Sequence, residues 1–239
     1  MLKQLKLILL LLIFISFSIF AAEYNSGAAR TNAKLGLGYL KKGLYSASKD
    51  RLLTALKEDP TIASTWYCMG YYLEKTGNVA AAEKYYRKAI DVEPHSGEAK
   101  NNYGTYLCRQ GRYSQAISEF LAAANEKNYL DAASAYENAG TCAMLIPNNV
   151  LALKYFHEAL DSNPSMPFTL LSLAHLNYLQ GNDADAEKYF SYFRALQLNN
   201  KPESVVQKYR EYVFSGKRLQ AQKSNLQLPP PSAHNKNFH

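Results

Sequence analysis

Apolar positions in this chain recur three and four residues apart over most of its length, with polar residues filling the intervals. That is the spacing of helices that bury one face. The pattern is sharpest from Ala63 to Ser96. Trp66 is followed four residues later by Gly70, Ala82 comes twelve after that glycine, and Pro94 twelve after that alanine, with Tyr86 and Ala89 between. Thr76-Gly77-Asn78 interrupts the apolar run in the middle and predicts a tight turn. The stretch therefore predicts two helices folded back on each other. Gly70, Ala82 and Ala89 are small where the helices approach, Tyr86 fills the space between neighbouring pairs, and Pro94 ends the second helix because it has no amide hydrogen to donate.

The same offsets recur on both sides with a step of about 34 residues, the signature of tetratricopeptide repeats. Repeat one, about residues 29–62, carries Leu35, Gly36, Tyr39, Leu52, Ala55 and Pro60, with Ser48 at the first small position, Asn32 in place of the aromatic, and Gly43 at the turn. Repeat three, about 97–129, has Tyr103, Gly104, Ala116, Phe120 and Ala123, turns at Gly111, and has Asn128 where the terminal proline would stand. Repeat four, about 133–166, has Tyr136, Gly140, Ala152, Phe156, Ala159 and Pro164, with its turn at Pro147-Asn148-Asn149. Repeat five, about 167–200, starts with Leu170, Leu173, Ala174 and Gly181, keeps Ala186 and Phe190, and then departs, with Phe193 at a small position. Val205, Val206, Tyr209, Tyr212 and Val213 predict one more amphipathic helix within 202–216, a cap or partial sixth repeat stopping at Gly216. One helix pair cannot bury its apolar face alone. The expected fold is an all-α TPR superhelix of stacked antiparallel helix pairs, with about five repeats over 29–200 plus the C-terminal helix.

The two ends differ from this body. Lys3 and Lys6 precede an apolar run from Leu7 to Phe20 and the small pair Ala21-Ala22, which predicts an export signal over 1–22. A retained membrane anchor is the alternative, although the run is short against the roughly 20 residues that span a bilayer. Residues 217–239 are basic, contain Pro229-Pro230-Pro231 and lack apolar periodicity, so a largely disordered tail is expected there, with a short helical extension to about Gln227 allowed. Six cations of the +7 total lie in these ends, leaving about +1 for the middle. A near-neutral body has no clustered basic face for phosphates, so nucleic acid is not an expected partner.

Catalysis finds no motif. None of His95, His157, His175, His234 and His239 stands one helical turn from another His or a Cys, and the chain has no Gly-rich phosphate loop or nucleophile elbow. No enzyme, metal or cofactor is expected. Protein binding is the natural class, because the first helices of stacked pairs line a concave groove. The groove-facing offsets give Arg30, Leu37, Leu40 and Lys41 in repeat one, Tyr67, Tyr71, Glu74 and Lys75 in repeat two, Glu98, Asn101, Thr105 and Arg109 in repeat three, and Glu137, Thr141, Met144 and Leu145 in repeat four. Tyr67 and Tyr71, one turn apart, are candidate anchors, with packing against the next repeat as the competing role. Asn102 and Asn138 share one offset and are either peptide clamps or donors to a neighbouring helix backbone. Cys108 and Cys142 fall on adjacent first helices and an exported chain permits their disulfide, leaving Cys68 as a thiol; three buried thiols is the alternative.

The segments Asn101-Asn102-Tyr103-Gly104-Thr105-Tyr106-Leu107-Cys108, Gln110-Gly111-Arg112-Tyr113 and Glu137-Asn138-Ala139-Gly140-Thr141-Cys142-Ala143, with Leu35-Gly36-Leu37-Gly38-Tyr39-Leu40 in repeat one and Tyr129, resemble the PilF/PilW family of periplasm-facing TPR proteins of type IV pilus biogenesis. The resemblance covers roughly residues 28–215. It implies a pilotin-like role in the periplasm, helping the outer-membrane secretin reach its place and assemble as a multimer, with consequences for pilus stability and twitching motility. Another periplasmic scaffold of envelope assembly or secretion is the alternative. Members of that family typically carry a Cys at the cleavage point and six repeats. Here Ala21-Ala22-Glu23-Tyr24 has no Cys, so no lipid anchor is expected, and association with the outer membrane would run through the secretin.

Overall fold

The computed structural model describes residues 24–146, 149–198 and 200–214 of the chain. The expected leader, the Pro147-Asn148 turn, Gly216 and the basic tail lie outside the described residues. Among those residues there are eleven helices: α1 (Ser26–Lys41), α2 (Tyr45–Glu58), α3 (Ala63–Lys75), α4 (Val79–Val92), α5 (Gly97–Arg109), α6 (Tyr113–Ala124), α7 (Ala132–Ala143), α8 (Asn149–Ser162), α9 (Pro167–Leu179), α10 (Asp183–Gln197) and α11 (Glu203–Phe214). None of them is long and apolar enough to cross a membrane.

The helices pair in chain order, α1 with α2 through α9 with α10, and each second helix also packs on the next first helix. First helices stack on one another from α1 through α7, and α11 lies against α9 and α10 in the place of a sixth first helix. The turns inside the pairs owe their tightness to glycine: Gly43, Gly77, Gly111 and Gly181 all sit at positive φ, between 73° and 86°, where a Cβ is disfavoured.

The pairs close where the periodicity placed its small residues. A Cβ at Gly70 would stand 3.2 Å from the Tyr86 ring, and one at Gly104 or Gly140 would stand 2.8 Å from Phe120 or Phe156. Ala82, Ala89, Ala116, Ala123, Ala152 and Ala159 are all fully buried. Ser48, in repeat one, is fully buried at the same small position. Tyr86, Tyr103 and Tyr106 form one aromatic cluster between repeats two and three, with Tyr86 and Tyr106 centroids 4.9 Å apart. Their hydroxyls donate to Glu74, Glu83 and the Val79 carbonyl respectively, so the polar ends enter the core satisfied. Trp66, the aromatic of the motif, donates its ring N–H to the Pro60 carbonyl at 2.7 Å and so pins the connection from the repeat before.

Two departures in the sequence have structural answers. Repeat three lacks its proline, and the longer connection before α7 lays Tyr129 on Gly97, whose added Cβ would fall 2.4 Å from that ring. Phe193 replaces a small residue because α11 covers it: the ring is 4% exposed and lies 5.0 Å from Tyr209.

Candidate functional site

The first helices α1, α3, α5 and α7 carry the residues that the offsets assign to the groove, but they do not all present surface. Leu40 and Tyr67 are buried, at 7% and 4% exposure, and both belong to the main core. For Tyr67, a candidate anchor with packing against the next repeat as its competing role, the packing role holds: its side chain is buried in the core. Leu37, Tyr71, Asn101 and Thr105 are half-buried and remain within reach of a ligand.

Tyr71 has a cationic surround. Lys75 Nζ is 5.3 Å and the Arg109 guanidinium 5.8 Å from its ring centroid. Arg109 is itself held in place by a two-pronged contact with Glu74, Nε donating to Oε1 at 2.5 Å and Nη2 to Oε2 at 2.7 Å. This pair joins repeats two and three beneath the groove and fixes a planar cation against an aromatic face.

Further along, the polar residues serve the stack. Asn138 Nδ2 donates to Asn101 Oδ1 at 3.0 Å, tying repeat four to repeat three through side chains. Asn102 Nδ2 donates to the Glu98 carbonyl of its own helix. Among the described residues neither asparagine bonds the backbone of a neighbouring helix, the structural alternative to a peptide clamp. Thr105 Oγ1 donates to the Asn101 carbonyl. Glu137, placed by its offset in the groove, is 8% exposed and accepts from Thr169 Oγ1 at 2.6 Å, joining repeats four and five.

Cys108, near the end of α5, and Cys142 of α7 are bridged, with Cα atoms 5.9 Å apart. Cys68 is a buried free thiol. Burial, reinforced by Glu98, holds that thiol well above the usual cysteine range, so it stays protonated and unreactive.

Between repeats one, two and three the groove floor opens into a cavity of about 70 Å³. Arg30, Ala33 and Lys34 line it from α1, Ser64 and Tyr67 from α3, and Glu98 from α5. Ala33 stands at the same offset as Tyr67 one repeat earlier, and its small side chain leaves the space. Ser64 and Lys34 were not singled out from the sequence. The signal was present, since Ser64 occupies the second offset of repeat two and Lys34 shares the offset of Cys68, Asn102 and Asn138.

With this geometry in view, likeness to known proteins is specific. The tetratricopeptide repeat family matches residues 37–190. The type IV pilus assembly protein PilF of Pseudomonas aeruginosa is 29% identical over 160 residues, 67% of this chain; the chain spans 64% of that relative's length. The solved structure of P. aeruginosa PilF superposes with a TM-score of 0.66 at 25% identity, covering 82% of this chain and 98% of the other. That of PilW, a type IV pilus biogenesis factor, superposes with a TM-score of 0.63 at 23% identity over 81% and 93%, a likeness of fold. The chain belongs to the tetratricopeptide repeat family, and within it is similar to the PilF/PilW type of type IV pilus biogenesis.

Proposed function

We propose that this protein is a non-enzymatic, pilotin-like assembly factor of the periplasm. It binds the outer-membrane secretin of the type IV pilus through the concave groove and promotes the secretin's localisation and multimerisation, thereby supporting pili and twitching motility. The observation that carries this reading is the extent of the likeness to PilF, which runs over nearly all of that solved chain and not over a single generic repeat. The Cys108–Cys142 bridge supports an oxidising compartment such as the periplasm. Tyr71, framed by Lys75 and Arg109, supports the groove as the binding face, because aromatic and arginine side chains are the usual anchors of protein interfaces.

The test is direct binding between the full chain and the periplasmic domains of the pilus secretin of the same organism. Saturable binding is expected, and Tyr71→Ala should weaken it at least about tenfold while leaving helicity intact, given that truncated anchors lose roughly 2 kcal/mol and 1.4 kcal/mol is tenfold. A wild-type chain that does not bind the secretin would overturn the reading.

A further inference from the structure

The rim of the array that carries the turns inside the repeats has a composition that the stack does not explain. At the N-terminal repeats it is apolar: Leu44 and Tyr45, where α2 begins, are 49% and 52% exposed, and Val79, where α4 begins, is 36% exposed. The ends of α1 and α3 add Lys41, Lys42 and Lys75, all exposed. Among the described residues none of these lysines has a carboxylate partner, and the Lys75 ammonium lies over the Tyr71 ring. Lysine at the end of a helix complements the helix dipole, and by the same argument an acid is favoured in a first turn. Yet α2, α4, α6 and α8 have no acid in their first turns, whereas α10 has Asp183 and Asp185. Glu74, in the last turn of α3, is taken by Arg109, and Glu83, in the second turn of α4, by Arg87 and Arg112. The turns themselves stand clear, since a Cβ at Gly43 or Gly77 would meet nothing among the described residues within 4 Å.

We propose that this rim docks the array on an anionic phospholipid surface, with Leu44, Tyr45 and Val79 entering the headgroup layer and Lys41, Lys42 and Lys75 meeting its phosphates. Charge selects an anionic surface over a neutral one, because the lysines are unpaired by acids and the first turns beside them carry none. Shape selects lipid over protein. Anchors of protein interfaces fill pockets ringed by further contacts, whereas these side chains stand on open turns. A lipid surface asks only for protruding apolar groups with cations behind them, and a tyrosine, apolar in its body and polar at its end, suits the boundary. The two features need each other: a small apolar insertion alone binds marginally, and lysines alone give an attraction that salt screens. At repeat five the rim changes sign, and Asp183 and Asp185 are repelled by the same surface, so contact is confined to the N-terminal repeats. This inference does not rest on the secretin reading.

The test is hydrogen exchange of the full chain on two kinds of vesicle, phosphatidylcholine alone and phosphatidylcholine with phosphatidylglycerol in equal parts. The apolar run before Ala21 and the cations after Gly216 also draw a chain to lipid, so bound fraction alone does not locate the contact, whereas protection of particular amides does. On anionic vesicles the amides of residues 43–46 and 77–80 should exchange more slowly than in solution, while those of 181–184 keep their solution rates. The first amides of a helix lack partners within it and report such a change directly. Changing Lys41, Lys42 and Lys75 together to Gln should remove the protection, because each lysine near an anionic surface contributes about 1 kcal/mol and the three together about a hundredfold. Leu44→Ser combined with Val79→Ser should remove it as well, with exchange in α7 to α9 unchanged as the sign of an intact fold. A chain that stays off anionic vesicles would overturn the proposal, as would a bound chain without protection in these turns. Equal protection on neutral vesicles, equal protection at 181–184, or protection that survives the lysine changes would overturn it too. Protection of the same turns by soluble polyglutamate but not by vesicles would replace lipid with an acidic protein and so overturn it. The secretin reading is tested by direct binding in the absence of lipid, and either reading can fail while the other stands.

Discussion

A Cβ at Gly104 would lie 2.8 Å from two carbons of the Phe120 ring and 3.1 Å from the Ala116 carbonyl, and neither neighbour can move without disturbing a buried helix pair. Gly104→Ala is accordingly expected to lower stability by about 1–3 kcal/mol. Gly38, inside α1, has nothing among the described residues within 4 Å of the same position, so Gly38→Ala should raise stability by about 0.5–1 kcal/mol by removing freedom from the unfolded chain. Urea unfolding of the two variants should move the midpoint in opposite directions; equal shifts would mean that the close approach at Gly104 is not what requires glycine. The small positions were legible in the sequence because a recurring glycine paired with a recurring aromatic has few other meanings. The accessibility of Tyr67 was not. An offset within a repeat states which way a side chain leaves its own helix, whereas burial depends on the residues that the next repeats bring over it. Tyr67→Ala should therefore behave as a core truncation, costing about 3–5 kcal/mol, and is not a clean probe of binding.

At the scale of single helices, the elements follow the periodicity closely, and the last one shows how a departure from a repeat becomes informative. Phe193 stands at a small position of repeat five, and together with Tyr209 of α11 it marks the surface on which α11 docks. That docking includes His175, whose Nδ1 lies 3.1 Å from the Val213 carbonyl and whose ring stacks on Tyr212 at 5.2 Å. Burial lowers the His175 pKa from its usual 6.5, only partly offset by the Val213 contact. A base whose folded-state pKa is depressed is docked in its neutral form. Its contribution is complete above about pH 6.5 and is lost as the pH falls through the lowered value. Amide exchange in α11 should quicken between pH 7.5 and 5 relative to exchange in α3, after correction for intrinsic rates. With His175→Gln the difference between the two helices should no longer depend on pH. Equal pH responses of α3 and α11 in the wild type would show that His175 does not control the docking.

For the whole molecule, the question is how far one repeat feels another. Stacked repeats are held by nearest neighbours, so stability can be lost from one end without being lost throughout. The junction between repeats three and four differs from the rest: the proline is missing, the connection is longer, and the Cys108–Cys142 bridge spans a sequence separation of 34 residues from α5 to α7. A cross-link of this size typically contributes about 2–4 kcal/mol. Here its effect should be regional, because the bridge ties the groove helices of the C-terminal repeats to an N-terminal half that has its own aromatic core around Tyr86, Tyr103 and Tyr106. Replacing Cys108 and Cys142 with Ser should lower the melting temperature and split unfolding into two steps. In hydrogen exchange, α7 to α11 should open first while α1 to α6 stay protected. The Asn138–Asn101 bond and the Glu137–Thr169 bond would then be left to hold that part of the groove, and both are short-range ties between adjacent repeats. Uniform loss of protection along the chain would mean that the array behaves as one cooperative unit. An unchanged melting temperature would mean that packing of α7 on α6 already suffices at this junction and the bridge adds nothing to it.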